Sequence, residues 1–283
     1  MLQRLRKKHP IWYSVLSEVL FLAGLLLVSF VVTFVLLFAG ISPASMDEYL
    51  FSCIQELAGI GIAVFLLART NRLTLLRRRG SGFFNGLLVG MYPLVLIGYS
   101  AFSTLMFGLP GGQMKPAWQI ITFFLGMTLV GVAEELIFRA VIAETMLEHF
   151  GTSRAGVWKA CLLSGVFFGA AHLSNLLSSA PLGVLMQCAF TAALGTLFAA
   201  IYFRTGNIWV TVFLHAAMDI AAMLAGGLYG TETVADSVST YDLTMLLTVV
   251  IYLLPAAFLL RKKKLPEVQL YWGKVAGTGE HKE

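Results

Sequence analysis

The chain is poor in charge. Lys, Arg, Asp and Glu make up 12% of its 283 residues, against about 25% in soluble domains. Hydrophobic residues make up 58%, and the mean hydropathy is +0.81. A water-soluble globular protein is excluded; the chain reads as an integral membrane protein. Cysteine is scarce as well. Cys53, Cys161 and Cys188 are odd in number, widely spaced and set in apolar stretches, which excludes both a disulfide framework and a CxxC metal or redox pair. They read as buried structural thiols. Internal repeats and low-complexity tracts are absent, and no extramembrane segment is long enough for a second domain. Residues 1–283 therefore read as a single membrane domain.

What is abundant is long apolar sequence. A helix needs about 20 apolar residues to cross a bilayer. Such stretches fall at about 11–40, 50–68, 83–107, 118–147, 160–178, 183–203, 208–226 and 242–260. The expected fold is all-α: a polytopic bundle of about eight transmembrane helices. The first run follows Arg4, Arg6, Lys7 and Lys8, but it far exceeds the 7–15 residues of a secretory signal core and reads as a retained anchor. Basic residues mark the cytoplasmic side. With the N-terminus inside, 18 of the 20 lysines and arginines fall in inner segments, Lys115 in an outer loop, and Arg139 within a span. Both termini are thus expected in the cytoplasm. The net charge of +5 is topological, with anionic lipid as its natural contact, and is no nucleic-acid footprint. Two glycine pairs, Gly86/Gly90 and Gly165/Gly169, have the spacing that lets membrane helices approach closely.

Few ionisable groups remain at membrane depth, where charge is costly and marks function by default. The stretch "VGVAEELIFRAVI" holds Glu134, Glu135 and Arg139. Residues four apart share a helix face, so Glu135 and Arg139 can pair, which leaves Glu134 pointing elsewhere without a cation. Desolvation favours the protonated form of a carboxyl group in general, a property suited to acid–base work. The fifth apolar stretch has Phe168 and His172 four apart, and the seventh has His215 and Asp219, so that the carboxylate can orient the imidazole. At about 1.5 Å per residue, Glu134, His172 and His215 can converge in the middle to cytoplasmic half. Glu56, about 9 Å deep from the outer side, reads as structural.

The set Glu-Glu-x-x-x-Arg, then Phe-x-x-x-His, then His-x-x-x-Asn/Asp, each on its own span, is similar to the CPBP family. These are the type II CAAX prenyl endopeptidases and their prokaryotic relatives, the bacteriocin-processing and immunity proteins, grouped as intramembrane glutamic proteases. The resemblance covers about 118–222, the expected catalytic core. It implies an intramembrane endopeptidase in which Glu134 and His172 activate a water, while His215 and Asp219 stabilise the oxyanion. Glu135, Arg139 and Phe168 would shape the site. The chain has Asp219 where the eukaryotic enzymes have Asn. Asn can donate a hydrogen bond to an oxyanion, whereas an ionised Asp cannot. Ala140 stands where the family usually has Gly.

Implied partners are membrane lipid and a peptide or membrane-protein substrate, which could be prenylated. Three alternatives stand beside this one. Glu134, His172 and His215, with Asp219 or Glu135, could form a zinc set, although HExxH is absent and the ligands would come from three helices; no cofactor is the first expectation. A non-enzymatic immunity or scaffold protein could retain the fold. A proton-coupled transporter also uses buried Glu and His, but shows inverted repeats and broken helices.

Overall fold

The computed structural model describes residues 1–230 and 232–276, the side chains of 274–276 excepted. Lys282 and the side chain of Lys274, both counted among the inner charges, lie outside the described residues. Among these residues the secondary structure is helical throughout. A short α1 (Leu2–Lys8) leads into α2 (Pro10–Phe38) and α3 (Glu48–Arg69). Then come α4 (Phe83–Val89) and α5 (Met91–Ser103). The core follows: α6 (Ala117–Glu135), α7 (Glu144–Phe150), α8 (Arg154–Ala171), α9 (Pro181–Thr205) and α10 (Ile208–Ala222). Short α11 (Leu224–Tyr229) and α12 (Val234–Ser239) precede α13 (Leu246–Leu259) and α14 (Leu265–Ala276).

The starts and stops follow local chemistry. The side chains of Asp47, Ser153 and Asn207 accept from backbone N–H groups that open α3, α8 and α10, satisfying donors that the first turn leaves free. Helix α9 opens on Pro181 and closes on Gly206 at φ 62°, in the left-handed region that favours glycine.

Among the described residues, six helical stretches are long and apolar enough to cross a membrane, and a seventh arises if the pair α13 and α14, bent by 58°, counts as one. The expected eight differ in two places. The stretch at 83–107 is divided at Gly90 into α4 and α5. The seventh stretch forms only the 15 residues of α10, about 22 Å of helix against a hydrocarbon core of about 30 Å. Its apolar sequence continues to 226, but the helix breaks at Met223.

The connections nonetheless sort to two ends. At one end Arg6 donates to Thr145 (2.9 Å), Ser81 N–H to the Thr205 carbonyl (2.8 Å) and Trp209 Nε1 to the Leu76 carbonyl (2.8 Å). Trp272 Nε1 reaches the Phe203 carbonyl at the same end (2.9 Å), so α1 and α14 lie together. At the other end Thr122 donates to Asp47 (3.0 Å), and Lys115 N–H to the Leu228 carbonyl (2.8 Å). Both ends of the described chain therefore sit at the basic end of the bundle.

Close approaches position the core. A Cβ on Gly131 would lie 2.8 Å from the Ala216 backbone nitrogen, so glycine there lets α6 and α10 touch. At Gly165 and Gly169 a Cβ would meet backbone oxygens of Ala192 and Cys188 at 2.4 and 2.5 Å, which seats α8 on α9. Gly86 and Gly90 face the side chains of Val210 and Leu214 of α10, where a Cβ would lie 2.4 and 2.5 Å from their methyl groups. Both pairs make the close contacts that their spacing implies.

Candidate active site

Between α6 and α7 the backbone widens into a π-helical stretch, Leu136–Ala143, with every residue buried. Such widened turns recur at functional sites. It follows directly on the two glutamates and contains Arg139, whose Nη2 lies 3.0 Å from Glu135 Oε1 with both side chains fully buried. The rest of the guanidinium faces rings. Its centre stands 4.7 Å from the Phe168 ring centroid and 5.8 Å from that of Phe198, within cation–π range.

Glu135 Oε1 also lies 2.9 Å from His215 Nδ1. A carboxylate can only accept, so Nδ1 carries the proton. The carboxylate that orients His215 is therefore Glu135, across the α6–α10 contact. Asp219 was the expected partner because it is four residues along the same helix. It lies instead on the opposite nitrogen: Nε2 is 3.5 Å from Asp219 Oδ2 and 3.5 Å from Glu134 Oε2. Two acidic oxygens flanking one nitrogen need a proton among them, on the ring or on a carboxyl group. Glu134, His215 and Asp219 form a triangle around that proton.

Exposure separates the cluster into two layers. Glu135 and Arg139 are sealed and His215 nearly so, while the Glu134 and Asp219 side chains are 21% and 29% exposed. The sealed groups can only hold others in place; the open carboxyl groups can meet water and a ligand. His172, half-buried at the end of α8, accepts no part in the triangle directly. Its Nδ1 donates to the Phe168 carbonyl (2.9 Å), which leaves Nε2 free to accept. The fully buried Phe168 ring lies edge-on to both His172 and His215, with centroids 5.2 and 5.6 Å away, and so spaces the two imidazoles.

Two participants escape a reading of the sequence. Phe198 of α9 stands 5.5 Å from the His215 ring, yet nothing marks it among the 21 phenylalanines. Glu56 of α3, read as structural, comes within electrostatic reach of Glu134, His215 and Asp219. Parallel packing of α3 and α6, with a Cβ on Gly59 meeting the Ala133 methyl at 3.4 Å, brings it there. Its rarity as a carboxylate at membrane depth was the available signal. As for zinc, no group of three or more His, Cys, Asp or Glu side chains among the described residues is arranged to hold a metal ion.

Residues 116–221 match the family model described as type II CAAX prenyl endopeptidase Rce1-like. A protein of Bacillus subtilis (strain 168) named as a candidate membrane peptidase, YdiL, is 32% identical over 107 residues, covering 38% of this chain and 36% of that relative. The match thus spans about a third of either protein. No solved structure matches the chain. This segment, which holds every residue of the cluster except Glu56, is where the chain is similar to the type II CAAX prenyl endopeptidase family.

Proposed function

We propose that the protein is an intramembrane endopeptidase that hydrolyses a peptide bond of a membrane-associated substrate with water activated by Glu134. The observation behind this reading is the division of labour in the cluster. Glu135 is committed to Arg139 and His215 and sealed, while Glu134 is uncommitted, partly open and 3.5 Å from His215 Nε2.

In this reading Glu134 takes a proton from water as the oxygen attacks the carbonyl carbon, and His172 Nε2 accepts the second water hydrogen as a hydrogen bond. Charge that develops on the carbonyl oxygen meets His215 Nε2–H. Glu135 supports that donor by holding Nδ1, as a fixed dipole does in an oxyanion hole. Collapse of the tetrahedral intermediate breaks the C–N bond, and Glu134 returns its proton to the leaving amine. Asp219 flanks the same oxygen and can donate to it when protonated. No metal enters any step. The substrate class extends to prenylated C-terminal peptides, the implied substrates of the family.

The test is hydrolysis of a fluorogenic reporter peptide by the purified protein in bilayer discs. Glu134→Gln keeps the shape but cannot accept a proton, and should lose about 10²–10⁴-fold in kcat, the usual contribution of a positioned acid–base group. Treatment with a strong chelator should leave the wild-type rate unchanged. Loss on chelation with recovery on zinc would replace this mechanism by the zinc one, and an unchanged Glu134→Gln rate would remove the glutamate from it.

A further inference from the structure

Away from the polar cluster, the wall of the bundle is open between α5 and α13, where a groove of about 1160 Å³ runs along the surface. Leu88 and Val95 line one side, and Val250, Leu254 and Phe258 the other; all five are exposed. From Leu247 to Leu259 the α13 side extends about 18 Å at 1.5 Å per residue. The hydrocarbon core is about 30 Å thick, so the groove spans roughly one leaflet. A transmembrane partner helix would need both.

One end of the groove is basic. Arg204, Arg261 and Lys264 close it, at the end of the bundle where both ends of the described chain lie. Arg204 (Nε, 2.9 Å) and Lys264 both bond to Glu267. Arg261 has no carboxylate among the described residues. Its Nη1 donates to the Phe258 carbonyl (2.6 Å), and its guanidinium lies over the Phe258 ring, 3.8 Å from the centroid. The 58° bend between α13 and α14 sets it at the rim. Three cations against one carboxylate leave a positive surplus, directly continuous with an apolar channel one leaflet deep.

We propose that this groove is a binding site for a single anionic glycerophospholipid, with its phosphate on Arg261 and one acyl chain laid along α13. The chemistry is that of the basic pockets between membrane helices that hold anionic headgroups. The apolar channel commits the site to a lipid and not to free phosphate, which has nothing to place there. Leu254 and Phe258 supply the contact surface for the chain, and the Phe258 ring beneath Arg261 keeps the guanidinium facing the headgroup.

The full chain, purified in detergent and offered an equal mixture of phosphatidylglycerol and phosphatidylcholine, tests this by native mass spectrometry of the retained lipid. Wild type should retain phosphatidylglycerol in about five-fold preference, the factor that one basic residue contributes at an anionic surface. Arg261→Gln should bring the two lipids level, and Arg261→Lys, which keeps the charge, should hold the preference. Leu254→Trp, which fills the channel at a lipid-facing position, should lower the amount of either lipid retained. The double substitution Lys262→Gln and Lys263→Gln, at exposed positions outside the groove, should change nothing. Equal retention by wild type would overturn the proposal. So would a preference that survives Arg261→Gln, or retention that is indifferent to Leu254→Trp, or a double variant that behaves like Arg261→Gln; the last would mean adsorption to the basic run alone.

Discussion

Helix α6 and its continuation into α7 carry two charged clusters about ten residues apart, and they are built on opposite rules. The cluster at the basic end is matched. Glu144 and Glu148 meet Arg6 from α1 and Arg72 from the α3–α4 connection, two carboxylates for two guanidiniums, with Glu144 and Arg6 almost wholly buried. The deeper cluster is mismatched. Glu134, Glu135 and Asp219 converge on one histidine, with a single arginine committed to Glu135. Buried charge is costly unless paired, so the matched cluster needs no explanation beyond holding three segments together. The mismatched one does, and the proposed hydrolysis would supply it, because a carboxylate with a full complement of partners is a poor base.

The sharpest way to break this comparison is to neutralise one carboxylate in each cluster. Glu134→Gln should cost the 10²–10⁴-fold in kcat described above while leaving the melting temperature nearly unchanged. Glu144→Gln should do the reverse. Removing one partner of a buried ion pair strands the other and costs about 3–5 kcal/mol, so the melting temperature should drop sharply while hydrolysis per folded molecule stays near wild type. If both substitutions lowered stability alike and spared the reaction, the two clusters would be the same kind of object.

Asp219→Asn gives a smaller and more discriminating effect. Asn keeps a donor next to His215 Nε2 but cannot bear charge. If Asp219 acts by donating to the oxyanion, kcat should change by less than ten-fold and the alkaline limb of the pH–rate profile should move up, since no proton remains to be lost at that position. A loss as large as that of Glu134→Gln would make the charge on Asp219 itself the working feature.

The two clusters also differ in how far they can be read from sequence. Spacing of four along a helix exposes Glu135 with Arg139, Phe168 with His172, and His215 with Asp219, because the helix repeat alone puts them on one face. What spacing cannot show is which partner wins across helices. The close approach of α6 and α10 at Gly131 gives His215 Nδ1 to Glu135 and leaves Asp219 on the other nitrogen. The matched cluster was invisible as a cluster, since Arg6, Arg72 and Glu144 are far apart in the chain; only the charge of the two arginines placed them near one end. Hydropathy located the spans but could not see the break at Gly90 or the shortness of α10, because backbone breaks leave apolar composition unaltered. The orientation read from charge has its own check: reporter fusions after Lys264 should be active in the cytoplasm, and activity outside would reverse the bundle.

The smallest expected effect belongs to Glu56, which joins the mismatched group from α3. It is 9% exposed, and its Oε2 has no hydrogen-bond partner among the described residues. It stands within electrostatic reach of Glu134, His215 and Asp219. An unsatisfied buried polar atom costs about 1–3 kcal/mol, and an apolar group of similar shape in its place is neutral or stabilising. Glu56→Leu should therefore raise stability by about 1 kcal/mol, a rise of roughly 2–4 °C for a chain of this size class. Hydrolysis should slow by less than in Glu134→Gln, because Glu56 acts on the triangle only through its field. Stability gained at some cost in rate is what a functional site held at the expense of the fold produces. A fall in melting temperature on Glu56→Leu would instead place Glu56 with Arg6, Arg72 and Glu144, among the groups that hold the helices together, and would move the boundary between the two clusters.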